Sequence, residues 1–421
     1  MSTTSECSAT DLPVIPASRA ARCPLAPPPE FADWRSQPGL RRAMYHGRPA
    51  WIVSRYRDIR AALLDPRLSA DTIPALLKPA GSEEAAPVMF PRIDDPEHHR
   101  LRRMLTRDFT FRRCESMRPR IQELVDQHLD EMIRKGPPAE LVRDFALPIP
   151  SLVIALLLGV PPEDLDFFQH HSTLGLETKT SDAQRAESLG AMFSYIEELV
   201  ARREHDAIPD GGDPRRPAAP DSRSPQDDLL SRLVTDHVLT GQLDRGTAAL
   251  NGAIMMLAGH ETTANMISLG TVALLEHPDV FERLGQADNH DFVANTVEEL
   301  LRYLSIVHAQ VDRVATEDFV LGGQPISAGD MVVMNLPAGN WDGEFVDNPD
   351  ELDAERNTRG HLAFGYGAHQ CIGQNLARVE MQVAFATLAR RLPSLKLAVS
   401  PDRLTFKEAD IYGMKELPVT W

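Results

Sequence analysis

One cysteine in the sequence lies in a setting suited to holding a metal ion. Residues 364–373 read FGYGAHQCIG and place Cys371 directly before residues 374–388, whose pattern predicts a helix. The three glycines let the backbone turn tightly and pass close to a flat ligand. Unpaired N–H groups at a helix start favour an anion, and this setting lowers a thiol's pKa and favours the metal-binding thiolate. Cys371 is therefore a candidate ligand, although a lone cysteine is more often a buried structural residue.

A second candidate for chemistry is a carboxylate inside an apolar helix. Residues 246–275 predict one long helix that carries Glu261 in its apolar middle, which argues against a membrane span. Burying a carboxylate costs free energy, so this residue points to a function. Thr262 can donate back to the carbonyl of residue 258 or 259, although a threonine inside a helix usually serves packing. At helical spacing one face carries Met255, Ala258, Gly259, Thr262 and Met266.

Two further helices place charged side chains on apolar faces. A helix capped by Asp94 or Asp95 would bring His98 and Arg102 onto the same face as its leucines, where an unpaired cation costs several kcal/mol. Glu299 and Arg302 lie three residues apart and face each other on another helix; alone, such a pair would contribute only about 0.5 kcal/mol.

The remaining pattern indicates a mainly helical chain with a smaller β region. Further helices are predicted over residues 56–64, 121–134, 149–158, 167–180 and 183–203, and strands over residues 50–54, 318–326 and 331–336. Residues 71–90 mix apolar side chains with prolines and predict a long loop. We expect a mobile tail over residues 1–25, a single domain over 26–421 and a disordered loop over 206–224 within it.

Composition excludes several classes of protein. The net charge of −17 over 421 residues opposes nucleic-acid binding through the whole surface. Residues 91–120 nevertheless contain nine arginines against five acidic residues, which predicts a local basic patch. Four scattered cysteines predict no disulfide framework, iron–sulfur cluster or zinc site. No apolar run of about 18 residues and no signal peptide is present, so we expect a soluble cytoplasmic protein.

Taken together, the motifs resemble those of the cytochrome P-450 family of haem-thiolate monooxygenases. The spacing Phe-x-x-Gly-x-His-x-Cys-x-Gly at residues 364–373 is matched in full, and the other motifs follow the family's order from about residue 23 to residue 421. The resemblance implies a soluble bacterial member, close to the hydroxylases of secondary metabolism. It also implies a fold in which haem b lies between the long central helix and the cysteine loop.

The resemblance implies roles for individual residues. Cys371 would ligate the iron in a loop that also contains Phe364, Gly365 and Gly373. Glu261 and Thr262 would be the acid–alcohol pair that delivers protons, with general acid–base chemistry as its physical basis. The haem propionates would be bound by His98, Arg102, Arg313 and His369. A structural ion pair would join Glu299 to Arg302, with Arg356 as a third member.

The implied reaction inserts one oxygen atom from dioxygen into a substrate C–H bond. Since no flavin or nicotinamide fingerprint is present, electrons would come from a ferredoxin and its reductase, docked on the arginine-rich face. A bulky apolar substrate is expected, of polyketide, macrolide, terpenoid or steroid type. Candidate substrate contacts are Leu76, Leu77, Met89, Phe90, Leu174, Leu176, Met255, Ala258, Val307, Ile411 and Met414.

Two alternatives remain open from the sequence. A haem-thiolate peroxygenase or isomerase would share the cysteine loop, but such proteins often lack an intact pair like Glu261 and Thr262. A helical binding protein without a cofactor is opposed only by the spacing of the ligand motif.

Overall fold

The computed structural model describes residues 12–19, 24–72, 88–177, 179–207, 228–286, 290–309, 311–407 and 409–421. Within these residues the predicted architecture, mainly helical with a smaller β region, is confirmed. The helices are α1 (Glu30–Ser36), α2 (Tyr56–Leu64), α3 (Glu97–Thr106), α4 (Phe111–Lys135), α5 (Pro148–Leu158), α6 (Leu165–Leu176), α7 (Asp182–Ala207), α8 (Leu229–Leu233), α9 (Arg245–Leu275), α10 (Pro278–Leu284), α11 (His290–Leu304), α12 (Leu336–Asn340) and α13 (Gln374–Arg391). None of the helices in the described ranges is long and apolar enough to cross a membrane.

The strands are short, of two to six residues each. They are β1 (Val14–Ile15), β2 (Arg41–Tyr45), β3 (Arg48–Val53), β4 (Leu68–Ser69), β5 (Ala139–Glu140), β6 (Asp312–Ala315), β7 (Phe319–Leu321), β8 (Gln324–Ile326), β9 (Met331–Met334), β10 (Lys396–Leu397), β11 (Thr405–Phe406), β12 (Met414–Glu416) and β13 (Pro418–Thr420). The largest sheet has the order β1-β2-β3-β9-β6-β4, and smaller sheets join β10-β13-β5, β11-β12 and β7-β8. In the largest sheet β3 runs parallel to β9, and β9 pairs antiparallel with β6, which carries Arg313.

The central helix α9 is buried along most of its length because it is apolar on nearly every side. It packs against α5, α7, α11 and α13. Two of its glycines allow close approach: a Cβ at Gly259 would lie 2.7 Å from Ile154 of α5, and one at Gly270 would lie 2.4 Å from the ring of Phe385 of α13. Larger residues at these positions would overpack the interface.

Helix α4 begins ten residues earlier than we predicted. The sequence pattern favoured residues 121–134, because Pro119 lacks an N–H and usually ends a helix. In the structure Pro119 lies inside α4, and the helix starts at Phe111. Thr110 caps this start, with its hydroxyl accepting a hydrogen bond from the backbone N–H of Arg113.

The predicted tail and loop lie only partly within the described residues. Residues 1–11, 20–23 and 208–227 are outside them. In the tail segment, Ile15 of β1 is opposite Tyr45 of β2 and only 2 % exposed, so this part packs on the domain. Helix α7 continues to Ala207, so Asp206 and Ala207, which we placed in the disordered loop over 206–224, are helical.

Candidate active site

A cavity of about 300 Å³ lies between α9 and the loop that contains Cys371. Each residue predicted for one face of α9 lines this cavity: Met255, Ala258, Gly259, Thr262 and Met266. From the loop, Phe364, Gly365, His369, Cys371 and Gly373 line it. A larger polar cleft, of about 770 Å³, contains none of the predicted site residues. The cavity beside Cys371 is therefore the one with the chemical groups that the sequence singled out.

The cysteine loop is held by its own backbone and by α2. The N–H of Cys371 donates to the carbonyl of Phe364 at 2.8 Å, and the N–H of Gln370 donates to the carbonyl of Gly367 at 3.1 Å. Gly365 and Gly367 have φ values of 69° and 76°, a region that favours glycine. A Cβ at Gly367 would lie 3.0 Å from the carbonyl oxygen of Leu63 in α2. The loop thus needs glycine at both positions to turn this closely.

The electrostatic environment of Cys371 only partly matches our expectation. Burial raises the pKa of the thiol, although the backbone N–H groups of Gly373 and Gln374 and the charges of Arg102 and Arg378 lower it. The N–H groups at the helix start thus favour the thiolate, as predicted, but in the protein alone the effect of burial on the thiol pKa is larger, so the pKa is raised. The exposed surface of Cys371 faces the cavity that it lines. A cation bound there would add the missing stabilisation of the thiolate.

Four donor side chains predicted to bind carboxylates lie around one edge of the cavity. Arg313 and His369 line it, and His98 stacks on His369 with ring centroids 3.9 Å apart. Burial is the first cause that lowers the pKa of both histidines, to about 4 for His369, so both imidazoles are neutral at neutral pH. Arg102 donates to the carbonyl of Gln370 at 2.5 Å. The structure thus brings together the four side chains from three separate parts of the sequence.

Three of these donors lack partners that buried polar groups normally have. Within the described residues, His98 Nε2 and His369 Nδ1 are buried without a hydrogen-bond partner. Arg313 is 6 % exposed and forms no ion pair with any carboxylate in the described ranges. An isolated buried cation is costly. The chemistry of this donor set therefore fits a ligand with carboxylate groups, and with Cys371 it fits a haem.

Helix α9 carries the predicted proton-delivery pair, of which Thr262 lines the cavity. The Thr262 hydroxyl donates to the carbonyl of Ala258 at 2.8 Å, one of the two acceptors that we predicted. Glu261 is 6 % exposed, is not among the described cavity-lining residues and forms an ion pair with Lys407. Burial is the largest influence on Glu261 and raises the pKa of its carboxyl, but the electrostatic effects of Lys407 and His260 and the hydrogen bonds from Lys407 and Asn265 together outweigh burial, so that the pKa is lowered. Sequence analysis missed Lys407, because it is separated from Glu261 by 146 residues.

The predicted structural ion pair is fully buried. Arg302 and Glu299 are each 0 % exposed, and two hydrogen bonds of 2.7 Å join the guanidinium to the carboxylate. Arg356 donates to the same carboxylate at 3.0 Å. Arg302 also donates to the carbonyls of Pro349 and Glu351. This cluster ties α11 to the segment that precedes the cysteine loop.

A second cluster behind the loop has no counterpart in our sequence predictions. Glu298 accepts from Arg378 of α13 and contacts His361 Nε2 at 3.1 Å. Burial raises the pKa of Glu298, but His361 and Arg378 outweigh it and lower the pKa to about 2. The Arg378 guanidinium lies 4.6 Å from the centre of the Phe364 ring. The cluster therefore supports the loop from the side away from the cavity.

The predicted substrate contacts are distributed unevenly. Met255, Ala258 and Val307 line the cavity, and Ile411 pairs with Val307 in a β-bridge. Five predicted contacts are not among the described lining residues: Met89, Phe90, Leu174, Leu176 and Met414. Leu76 and Leu77 lie outside the described residues.

Comparison with known proteins agrees with this geometry. A family model described as Cytochrome P450 matches residues 40–405. Cytochrome P450-SU2 of Streptomyces griseolus is 42 % identical over 430 residues, which cover 100 % of both chains. Vitamin D3 dihydroxylase of the same organism is 40 % identical over 420 residues, 98 % of this chain and 98 % of its own.

A solved relative shows the same fold. The crystal structure of mycinamicin VIII C21 methyl hydroxylase from Micromonospora griseorubida, bound to mycinamicin VIII, has a TM-score of 0.85 and 37 % identity, and the match covers 97 % of this chain and 100 % of that chain. The match extends over nearly the whole chain, and Cys371 and Thr262 line one cavity whose donors fit haem. The chain therefore belongs to the cytochrome P450 family, whose haem-thiolate members are monooxygenases, and this protein is a monooxygenase of that family.

Proposed function

We propose that this monooxygenase hydroxylates a C–H bond of a bulky apolar small molecule, with haem b as its cofactor and a ferredoxin as its electron donor. The observation that carries the proposal is that Cys371 and Thr262, from distant parts of the sequence, line the same mainly apolar cavity. Thiolate-ligated haem supplies the activation of dioxygen, which consumes two electrons and two protons and releases water. The chain's own residues supply position, protons and access.

Cofactor binding uses three kinds of contact. The Cys371 sulfur is the proposed iron ligand, and the Phe364 carbonyl fixes the Cys371 backbone through the 2.8 Å hydrogen bond. Arg313 and His369 are proposed to donate to the propionate carboxylates, with His98 and Arg102 beside them. The propionates would give His98 Nε2 and His369 Nδ1 the hydrogen-bond partner, and Arg313 the carboxylate, that the described protein does not supply, and charge-assisted bonds of this kind are the strong ones.

Proton delivery is assigned to Glu261 and Thr262. The Thr262 hydroxyl lines the cavity and can exchange its bond to the Ala258 carbonyl for one to a bound molecule. Glu261 directly precedes Thr262 on α9 and carries a buried carboxylate that can take up and release a proton. Together they form a route by which a proton passes from inside the protein to the cavity.

The proposed substrate class rests on the lining and on the relatives. Met255, Met266 and Val307 give the cavity adaptable apolar walls, which suit a bulky apolar molecule. Two of the relatives are named as hydroxylases, one of mycinamicin VIII and one of vitamin D3. A compound of polyketide, macrolide, terpenoid or steroid type is the proposed substrate.

The proposed ferredoxin surface is the arginine-rich face beside the cysteine loop. This face adjoins the loop because Asn375, near the start of α13, donates to the carbonyl of Phe109 at 3.0 Å. Of the nine arginines in residues 91–120, several are paired within the protein, for example Arg100 with Glu97. Three exposed ones form no ion pair with a described carboxylate: Arg103, Arg107 and Arg112. Their free charge would attract an acidic partner.

An absorption spectrum of the reduced protein exposed to carbon monoxide tests the cofactor assignment. We expect a strongly red-shifted haem band, which reports thiolate ligation, and its loss in Cys371→Ser. Cys114→Ala is the matched control, because Cys114 is buried in α4 and does not line the cavity. A band that persists in Cys371→Ser would reassign the ligand, and a protein that takes up no haem would overturn the proposal. Substrate candidates can then be screened by the haem spin-state shift.

A further inference from the structure

The carboxylate of Glu261 is held by two side chains outside the cavity. Lys407 Nζ donates to Glu261 Oε1 and also to Asn265 Oδ1, the latter at 3.1 Å. Asn265 in turn donates to Glu261 Oε1 at 3.4 Å. The Lys407 side chain is 18 % exposed and that of Glu261 is 8 % exposed. Lys407 therefore lies between a buried carboxylate and the protein surface.

The backbone around Lys407 fixes this arrangement. The N–H of Lys407 donates to the carbonyl of Gly413 at 2.8 Å, across the turn between β11 and β12. Gly413 packs directly on the Asn265 side chain, since a Cβ at Gly413 would lie 2.1 Å from Asn265 Oδ1. The next contact anchors the turn to the cavity wall: the N–H of Tyr412 donates to the carbonyl of Ile306, which lines the cavity.

Other ionisable groups around Glu261 cannot replace Lys407. The adjacent His260 is buried, its Nδ1 contacts the Met256 carbonyl at 2.7 Å, and burial lowers its pKa, so that it is neutral. Asn265 carries no charge. Lys407 is therefore the cation that compensates Glu261 among the residues that the structure describes. A buried carboxylate that loses its cation becomes protonated instead.

We propose that Lys407 is a positioning residue for proton delivery, which holds the Glu261 side chain beside Asn265 and connects it to solvent. The inference rests on the relay role proposed above for Glu261. After Glu261 has passed a proton towards Thr262, a new proton must reach it from the surface. Lys407 is the partly exposed group in contact with the carboxylate, so it defines where that proton enters.

The direction in which the pKa of Glu261 changes follows from the positive charge of Lys407. Lys407 lowers the pKa of Glu261, so its removal raises that pKa and leaves the carboxyl protonated over a wider pH range. Lys407→Gln should therefore move the titration of this carboxyl to higher pH. Lys407→Arg keeps the cation and should retain the original titration. Lys415→Gln is the matched control, because Lys415 is the exposed lysine of the adjacent strand β12.

Two measurements on the haem-loaded, substrate-bound enzyme test the proposal. Infrared titration of the protonated carboxyl band, assigned by its absence in Glu261→Gln, should show the shift to higher pH in Lys407→Gln alone. In steady state, Lys407→Gln should lower kcat and the product formed per reducing equivalent by roughly tenfold, with KM nearly unchanged. This is less than the roughly 10²–10⁴-fold that a general acid–base group itself contributes, because Lys407 acts through Glu261. Lys407→Arg should restore both.

The outcomes separate this proposal from the relay role itself. Full coupling in Glu261→Gln would show that Glu261 is not a relay, which is a failure of the proposed function. A defect in Glu261→Gln with wild-type behaviour in Lys407→Gln would overturn the role of Lys407 alone. An infrared shift without any loss of coupling would also overturn it. Haem content and the carbon monoxide band of each variant verify that the fold is retained.

Discussion

At the scale of single residues, the buried polar groups of the site differ in how many hydrogen-bond and ion-pair partners the rest of the protein gives them. Glu261 has a cation and an amide as partners, whereas Arg313 forms no ion pair with a described carboxylate, and His98 Nε2 and His369 Nδ1 have no hydrogen-bond partner in the described protein. Since unsatisfied buried groups cost about 1–3 kcal/mol each, the donor set destabilises the protein alone. Haem binding would recover this free energy, which couples cofactor binding to stability.

Thr262→Ala removes the hydroxyl that we assign to proton transfer. We expect haem binding and substrate affinity to stay near wild type, while product formed per reducing equivalent falls at least fivefold and peroxide accumulates. The physical reason is that general acid–base groups contribute roughly 10²–10⁴-fold to a rate, and a methyl group carries no transferable proton. Product and peroxide should be quantified together during steady-state turnover.

Two controls separate the hydroxyl from its helix. Thr262→Ser keeps an O–H at the same position and should remain coupled. Thr271→Ala removes a hydroxyl with the same backbone bond, to the carbonyl of Ile267 at 2.8 Å, from a fully buried site on α9 outside the cavity lining. Coupled turnover in Thr262→Ala, or equal uncoupling in Thr271→Ala, would contradict the assignment.

The limits of sequence analysis are clearest at this scale. Thr262 and its acceptor Ala258 were predicted because they lie four residues apart on one helix, where spacing fixes the contact. Lys407 and Arg378 were missed because their partners, Glu261 and Glu298, lie 146 and 80 residues away. Local periodicity carries no information about which distant element a charged side chain will reach.

At the scale of elements, α9 and α13 enclose the cavity, and α11 fixes the chain that leads to the loop. The boundaries of α2 follow from its apolar periodicity and the course of α9 from its long, mostly apolar run, so the sequence predicted both closely. The start of α4 was predicted too late, because Pro119 is tolerated inside a helix that packs along α13. Tertiary packing overrode local propensity there.

The ion cluster of α11 offers a test at this scale. Glu299→Gln leaves the fully buried Arg302 guanidinium without its carboxylate, and breaking a buried pair typically costs about 3–5 kcal/mol. We expect a loss near the lower end, because backbone carbonyls still accept from Arg302. Urea unfolding of the haem-loaded protein measures the free energy of unfolding.

A matched exposed pair provides the control. Glu131 and Arg134 of α4 have the same spacing of three residues, but both side chains are solvent-exposed. Glu131→Gln should therefore change stability by no resolvable amount. If both substitutions destabilised the protein equally, the cluster on α11 would have no special structural role.

At the scale of the whole molecule, the charge distribution is uneven, because a locally basic segment lies in a protein of negative net charge. The chain carries a net charge of −17, yet three exposed arginines at or just before the start of α4, Arg103, Arg107 and Arg112, form no ion pair with a described carboxylate. Phe111, the first residue of that helix, is 68 % exposed. An exposed aromatic residue next to exposed arginines in the chain favours a protein-binding surface, since aromatic residues and arginine are enriched at binding hot spots. The sequence predicted the basic patch but not which arginines remain unpaired, because pairing depends on neighbours in space.

This surface should bind an acidic ferredoxin through charge and through Phe111 separately. Arg112→Glu should weaken the apparent affinity for the ferredoxin about tenfold at low salt, and added salt should diminish the difference because it screens exposed charges. Phe111→Ala should weaken the affinity by a factor that salt hardly changes, because apolar contact supplies it. The rate of haem reduction, measured against ferredoxin concentration at several ionic strengths, gives the affinity of each variant and its dependence on salt.

Arg134→Glu, at the other end of α4, is the control with the same change in net charge. If Arg134→Glu reduced the affinity as strongly as Arg112→Glu, the overall charge of the protein would govern the encounter, and the face beside the cysteine loop would not be the docking site.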